Sequence, residues 1–158
     1  MSFSGTSHFK QEFGIRDQAA RIPLICPGFN YKLRDGQLVG TGSIQPAPLC
    51  DSYVFRLTYK CGEFPKVTIV NPPLRCRADQ ERIPHTYSPT EPCLFRPGTD
   101  WDSSQCIATT IIPWLAMWLS FYELWHATGE WLGGGEHPEM PEDSASKEAT
   151  SEIPIEEE

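Results

Sequence analysis

The feature that most constrains this chain is residues 107–125, a nineteen-residue run in which Glu123 alone is charged. A run of this kind must leave water. A helix that spans a bilayer needs about 20 apolar residues and tolerates charge poorly. This one barely reaches that length and contains Pro113, Thr109, Thr110, Ser120 and Glu123. It therefore reads as a helix inside a protein core, with no membrane partner expected. Pro113 suits a first helical turn, where its missing N–H costs nothing, and Gly129 is a natural stop. The spacing predicts a helix over about 113–128. Trp114, Leu115, Met117, Trp118, Phe121, Tyr122, Leu124 and Trp125 surround most of its circumference, the pattern of a buried helix that crosses a sheet.

The sheet is legible upstream. Residues 53–59, Tyr-Val-Phe-Arg-Leu-Thr-Tyr, alternate β-branched and aromatic residues. Residues 66–70 form the next strand, and Asn71-Pro72-Pro73 stops it because proline cannot donate to a ladder. Residues 30–33 and 37–41 flank Asp35-Gly36, a hairpin turn signal. Residues 37–70 thus read as an antiparallel meander, and the fold class as α+β. A short helix is expected near 8–20, weakened by Gly14, followed by a Pro/Gly-rich stretch over 21–50. Residues 71–102 hold no long element, and a loop of that length in a compact domain is often functional. Asp102-Ser103-Ser104 offers N-cap candidates for a helical stretch.

Length alone suggests one domain. Charge divides the chain in two. Residues 136–158 carry nine acidic groups and one lysine, the whole of the net charge of −8, whereas residues 1–135 are neutral. The reading is a folded domain over 1–135 and an acidic disordered tail over 136–158. A neutral domain has no basic bias toward nucleic acid.

Six cysteines, 26, 50, 61, 76, 93 and 106, form no CxxC spacing, so neither a zinc site nor any other metal or cofactor is expected. The N-terminus lacks an apolar signal-peptide core, which points to a cytoplasmic chain with reduced thiols. Cys93 stands apart. It follows Pro92 in the irregular segment, eight residues after His85, with Tyr87, Glu91, Asp100 and Asp102 close by. Thiolates are nucleophiles whose reactivity follows access and environment, and a cysteine near a histidine is a recurring acyl-transfer arrangement. By spacing alone Cys93 also fits a small buried hydrophobe, the commoner fate of a free cysteine. Cys106, at the start of a helical stretch, is the rival nucleophile, though Ile107 and Ala108 beside it favour burial. His126 reads as a helix-end partner or a partly buried packing residue. A protease triad would need a third orienting group, and no papain-like or caspase-like signature surrounds the cysteine.

The order of these features resembles the ubiquitin-conjugating enzyme fold: a meander, a Pro-Pro, a loop running from His to Cys, and a crossing helix. The bacterial branch of that family is the closer likeness, carried by His85-Thr86-Tyr87, Cys93-Leu94-Phe95, Trp101, Pro113-Trp114, the aromatic run from Trp118 to Trp125, and Gly129-Glu130-Trp131. The likeness covers about residues 40–135. That branch looks like the conjugating component of anti-phage systems of the cyclic-oligonucleotide signalling type (CBASS).

The resemblance implies that Cys93 accepts the C-terminus of a cGAS/DncV-like nucleotidyltransferase as a thioester and passes it to an amine. His85 would assist, with Tyr87, Asp100 and Asp102 in support, and an activating enzyme would be a further partner. Two departures from eukaryotic members matter. His85 is followed by Thr86-Tyr87 rather than Pro-Asn, so the asparagine that helps stabilise the oxyanion is missing, and the extra C-terminal helices are absent. The first departure keeps a catalytically inactive binding module of the same fold as the alternative.

Overall fold

The computed structural model describes residues 10–134. The acidic segment and the first residues of the expected N-terminal helix lie outside the described residues. Helix α1, Ile15–Ile25, opens the description. It lies later than the sequence suggested. Gly14 is not inside the helix but precedes it in extended backbone, and the helix continues through Pro23 into the stretch read as loop. Proline is tolerated there because only the final turn loses a hydrogen bond. Tertiary contacts hold α1 in place: Gln18 is fully buried, donates to Gln105 O (2.8 Å) and accepts from Ile107 N (2.8 Å).

Strands β1 (Asn30–Arg34), β2 (Gln37–Ile44), β3 (Tyr53–Lys60) and β4 (Lys66–Asn71) form one antiparallel sheet in sequence order. The Asp35-Gly36 turn takes positive φ at both residues, 52° and 72°, as a two-residue hairpin requires. The inner face carries Leu38, Phe55, Leu57, Tyr59, Val67 and Ile69, all buried. Gly40 and Gly42 interrupt that face for steric reasons. A Cβ at Gly40 would lie 2.2 Å from Phe29 Cζ, and Phe29 is wedged between Tyr31 and Phe55.

Helix α2, Ile111–Thr128, is the buried element the apolar run demanded. It begins two residues before Pro113 and ends at Gly129, whose φ of 84° and N–H to Trp125 O (2.8 Å) make a left-handed cap. Asp102 does not cap a long helix. Its Oδ1 accepts the Ser104 N–H (2.9 Å) in a tight turn, followed by a 3-10 turn at Ile107–Thr109, and α2 starts from Thr110 with no side-chain cap. Residues 75–80 close the far end of α2. The Arg77 guanidinium donates to Trp125 O and His126 O, Gln80 donates to Gly129 O, and His126 Nε2 lies 2.8 Å from Arg75 O.

Between the sheet and α2 runs the long irregular segment, whose regular structure is a small hairpin of β5 (Thr86–Ser88) and β6 (Glu91–Pro92). Ile69 N donates to Thr90 O (2.8 Å), and Lys66 pairs with Glu91 (3.1 Å), so the hairpin is tied to the edge of β4. Cys93 is the next residue.

Candidate functional site

Cys93 is placed by backbone, not by its own side chain. Its N–H donates to His85 O (2.8 Å), and the Trp118 indole N–H donates to the same oxygen (3.0 Å). Two donors on one carbonyl secure His85 in a left-handed conformation, φ 52°, that a side chain of this size seldom adopts. The segment is therefore clamped from below by the hairpin and from above by α2. The Cys93 amide is thus occupied by His85 O.

The thiol is half-buried, with Sγ 3.8 Å from Phe95 O. Beside it stands Tyr87, whose hydroxyl donates to Phe95 O (3.3 Å). Burial, then the neighbouring thiol, then Glu91 push the Tyr87 phenol well above its ordinary value, so it remains a neutral donor. The buried His85 ring packs on Trp131, centroids 5.0 Å apart.

Cys93 and His85 open into a groove of about 800 Å³ whose lining also includes Arg96, Asp100, Trp114, Met117, Phe121 and Trp131. Asp100 accepts from the Arg96 backbone N–H (2.8 Å) and guanidinium (3.2 Å). Arg96 holds its carboxyl below the usual range, which makes it a weak base. Asp102 lies outside the lining of this groove. It pairs with Lys10 (2.8 Å) and accepts from Ser104. Of the five residues singled out in the sequence, Cys93, His85 and Asp100 line the groove, Tyr87 touches its thiol end, and Asp102 serves a turn nearby.

Cys106 is buried at the start of the 3-10 turn, its carbonyl accepting from the Thr109 and Thr110 hydroxyls. His126 bonds Arg75 O at the end of α2, the helix-end role read for it.

Sequence reasoning did not find the groove wall. Trp114, Met117, Trp118 and Phe121 follow helical spacing i, i+3, i+4, i+7, while Ile111, Ile112, Leu115, Leu119, Tyr122 and Trp125 fill the core together with Trp118, which is buried and also lines the groove. The signal was available. One helix carried more aromatic surface than a core needs, and the surplus forms one stripe. Met117, 51% exposed, marks it.

A model of the family described as Type II CBASS E2 protein matches residues 18–138. No curated protein matches the chain.

Proposed function

The chain belongs to the Type II CBASS E2 protein family, and from that premise we propose that it is a conjugating thiol transferase with Cys93 as its nucleophile. The observation that carries this reading is the half-buried Cys93 thiol at the mouth of an aromatic groove, on a segment held rigidly through the His85 carbonyl. A structural cysteine needs no such opening. Pre-positioning of a reacting group is worth a large share of a barrier.

The acyl donor is the activated C-terminus of a partner, a cGAS/DncV-like nucleotidyltransferase. A free carboxylate does not exchange with a thiol, so the carbonyl arrives activated as an adenylate or thioester, and an activating enzyme is the expected source. The Cys93 thiolate adds to that carbonyl and the activating group leaves, forming the C–S bond. A lysine amine then adds to the thioester. The thiolate departs as the amide forms, and the amine's proton passes to a base, for which His85 is the candidate. Asp100 attracts the incoming ammonium. The Tyr87 hydroxyl, kept neutral, is the candidate oxyanion donor in place of the missing asparagine. The setting is the cytoplasm, with regulation of anti-phage cyclic-nucleotide signalling as the outcome.

The test is intact-mass and non-reducing gel analysis of the protein co-expressed with the nucleotidyltransferase. Wild type is expected to form an adduct cleaved by thiol or hydroxylamine, and Cys93→Ala none. The same adducts on Cys93→Ala would overturn the assignment. Co-purification with no adduct on either protein would favour the inactive binding module, for which the aromatic groove is equally suited.

A further inference from the structure

Five basic residues of the four strands gather on one face of the sheet. Cross-strand register places Lys32 opposite Val39, Val39 opposite Thr58, and Thr58 opposite Lys66. It likewise aligns Arg34, Gln37 and Lys60, and sets Arg56 between Thr41 and Thr68. Directly paired residues point to the same side of a sheet. Lys32, Arg34, Arg56, Lys60 and Lys66 therefore share one face, the reverse of the one carrying Leu38, Leu57 and Val67. All five are exposed, and both helices bury their residues in the core on the other side. No acidic residue occupies a strand position on this outer face. Glu63 and Glu91 reach its margin and pair with Lys60 (3.5 Å) and Lys66 (3.1 Å). Among the described residues, Lys32, Arg34 and Arg56 have no ion-pair partner. A shallow concavity of about 260 Å³ is lined by Lys32, Arg34, Asp35, Gln37 and Val39, so the hairpin turn brings one carboxylate to the rim of the patch.

An acidic segment that could face this patch is in the same chain. Residues 136–158 hold nine acidic groups against Lys147 alone. From Gly134 to the C-terminus the chain could span about 80 Å if extended. A domain of this size has a radius of gyration of about 14 Å, so a path from the groove side round to the outer face lies within reach. Tethering holds the segment at roughly millimolar effective concentration, which lets individually weak surface pairs add up.

We infer that the outer face of the sheet is the docking surface of the chain's own acidic C-terminal segment. The contact is electrostatic and intramolecular. It leaves the Cys93 groove open and occupies the side of the sheet away from it, so it is independent of the proposed chemistry.

Zero-length carbodiimide coupling on the full chain at low micromolar concentration, followed by peptide mapping, tests this. Links at Lys60–Glu63 and Lys66–Glu91 report that coupling worked and the fold is intact. The expected result is additional amide links from tail carboxylates to Lys32, Lys60 and Lys66. These should be lost near 1 M salt, where the screening length is about 3 Å, and lost in the exposed double variant Arg34→Glu/Arg56→Glu while the Lys60–Glu63 link persists. In a mixture with isotope-labelled protein, the links should join residues of one copy. The inference is overturned if the control links form without tail links, if tail links go to Lys10 instead, or if they join two copies.

Discussion

Asp102 and Tyr87 show how differently two residues of one short segment can be held. The Asp102 carboxylate is lowered to about 2 by Lys10 first, then by the Ser104 hydroxyl and amide. Its folded value is depressed below the ordinary ~3.9. Whatever it contributes to stability is present above pH ~3.9 and is lost as pH falls through about 2. In an NMR titration the Ser104 amide should move with a midpoint near 2. A midpoint near 4 would mean that the turn is not held by this carboxylate. Tyr87 is shifted the other way, chiefly by burial, and stays a neutral phenol. Trp118 is the third residue of this scale. Its indole N–H is one of two donors on His85 O, and Trp118→Phe removes that bond and also trims a buried ring that packs on Tyr122 and Trp131. One neutral hydrogen bond is worth about 0.5–1.5 kcal/mol net. Thermal unfolding should register a loss above that range, because the smaller ring leaves a cavity, and thiol alkylation kinetics should show Cys93 altered more than the other cysteines. Unchanged Cys93 kinetics would remove Trp118 from the clamp.

At the scale of elements, β2 is built around an absence. Gly40 and Gly42 lie on its inward face because the Phe29 and Phe55 rings fill the space their side chains would need. The Phe29 ring cannot retreat, being stacked on Tyr31 and Phe55 at centroid distances of 6.0 and 6.1 Å. Overpacking of this kind typically costs about 1–3 kcal/mol. Gly40→Ala should lose that much in chemical denaturation, and a neutral result would show that Phe29 is freer than its stacking implies. Helix α2 has the opposite character, with large side chains on two adjoining sides. One side packs with the sheet, as in Tyr53 against Tyr122 (6.3 Å), and Glu123, the run's only charged residue, accepts from the Tyr53 hydroxyl and the Asp51 N–H, both at 2.8 Å. The other side walls the groove.

For the whole molecule, α2 with the preceding turn is long and apolar enough to cross a membrane by length and composition. Yet Ile111, Ile112, Leu115, Leu119, Tyr122 and Trp125 are all buried in the domain core. Presenting them to lipid would uncover the inner face of the sheet, exposing side chains such as Phe55, Leu57 and Val67 to water at about 1.5–3 kcal/mol each. In a flotation assay with neutral phosphatidylcholine vesicles the protein should stay in solution. Recovery with the vesicles would show that α2 can leave the core.

Periodicity by itself determined the meander, the Asp35-Gly36 hairpin, the central helix and its glycine stop, because each depends on local backbone preference and on apolar spacing. Cys93 differed from the other cysteines by its irregular segment and by His85 eight residues before it, but spacing alone also fitted a small buried hydrophobe, and the family resemblance supplied its expected role. Only the tertiary structure decided where α1 runs, since its hold is Gln18 on residues 105 and 107, about ninety positions away. The same is true of the groove. A one-dimensional pattern says that α2 is apolar all round, but not which apolar residues meet the sheet and which face Cys93. It likewise cannot separate Asp100, which the fold turns toward the groove, from Asp102, two positions on, which it turns toward Lys10. Those distinctions depend on how distant segments pack, and packing is a property of the assembled core.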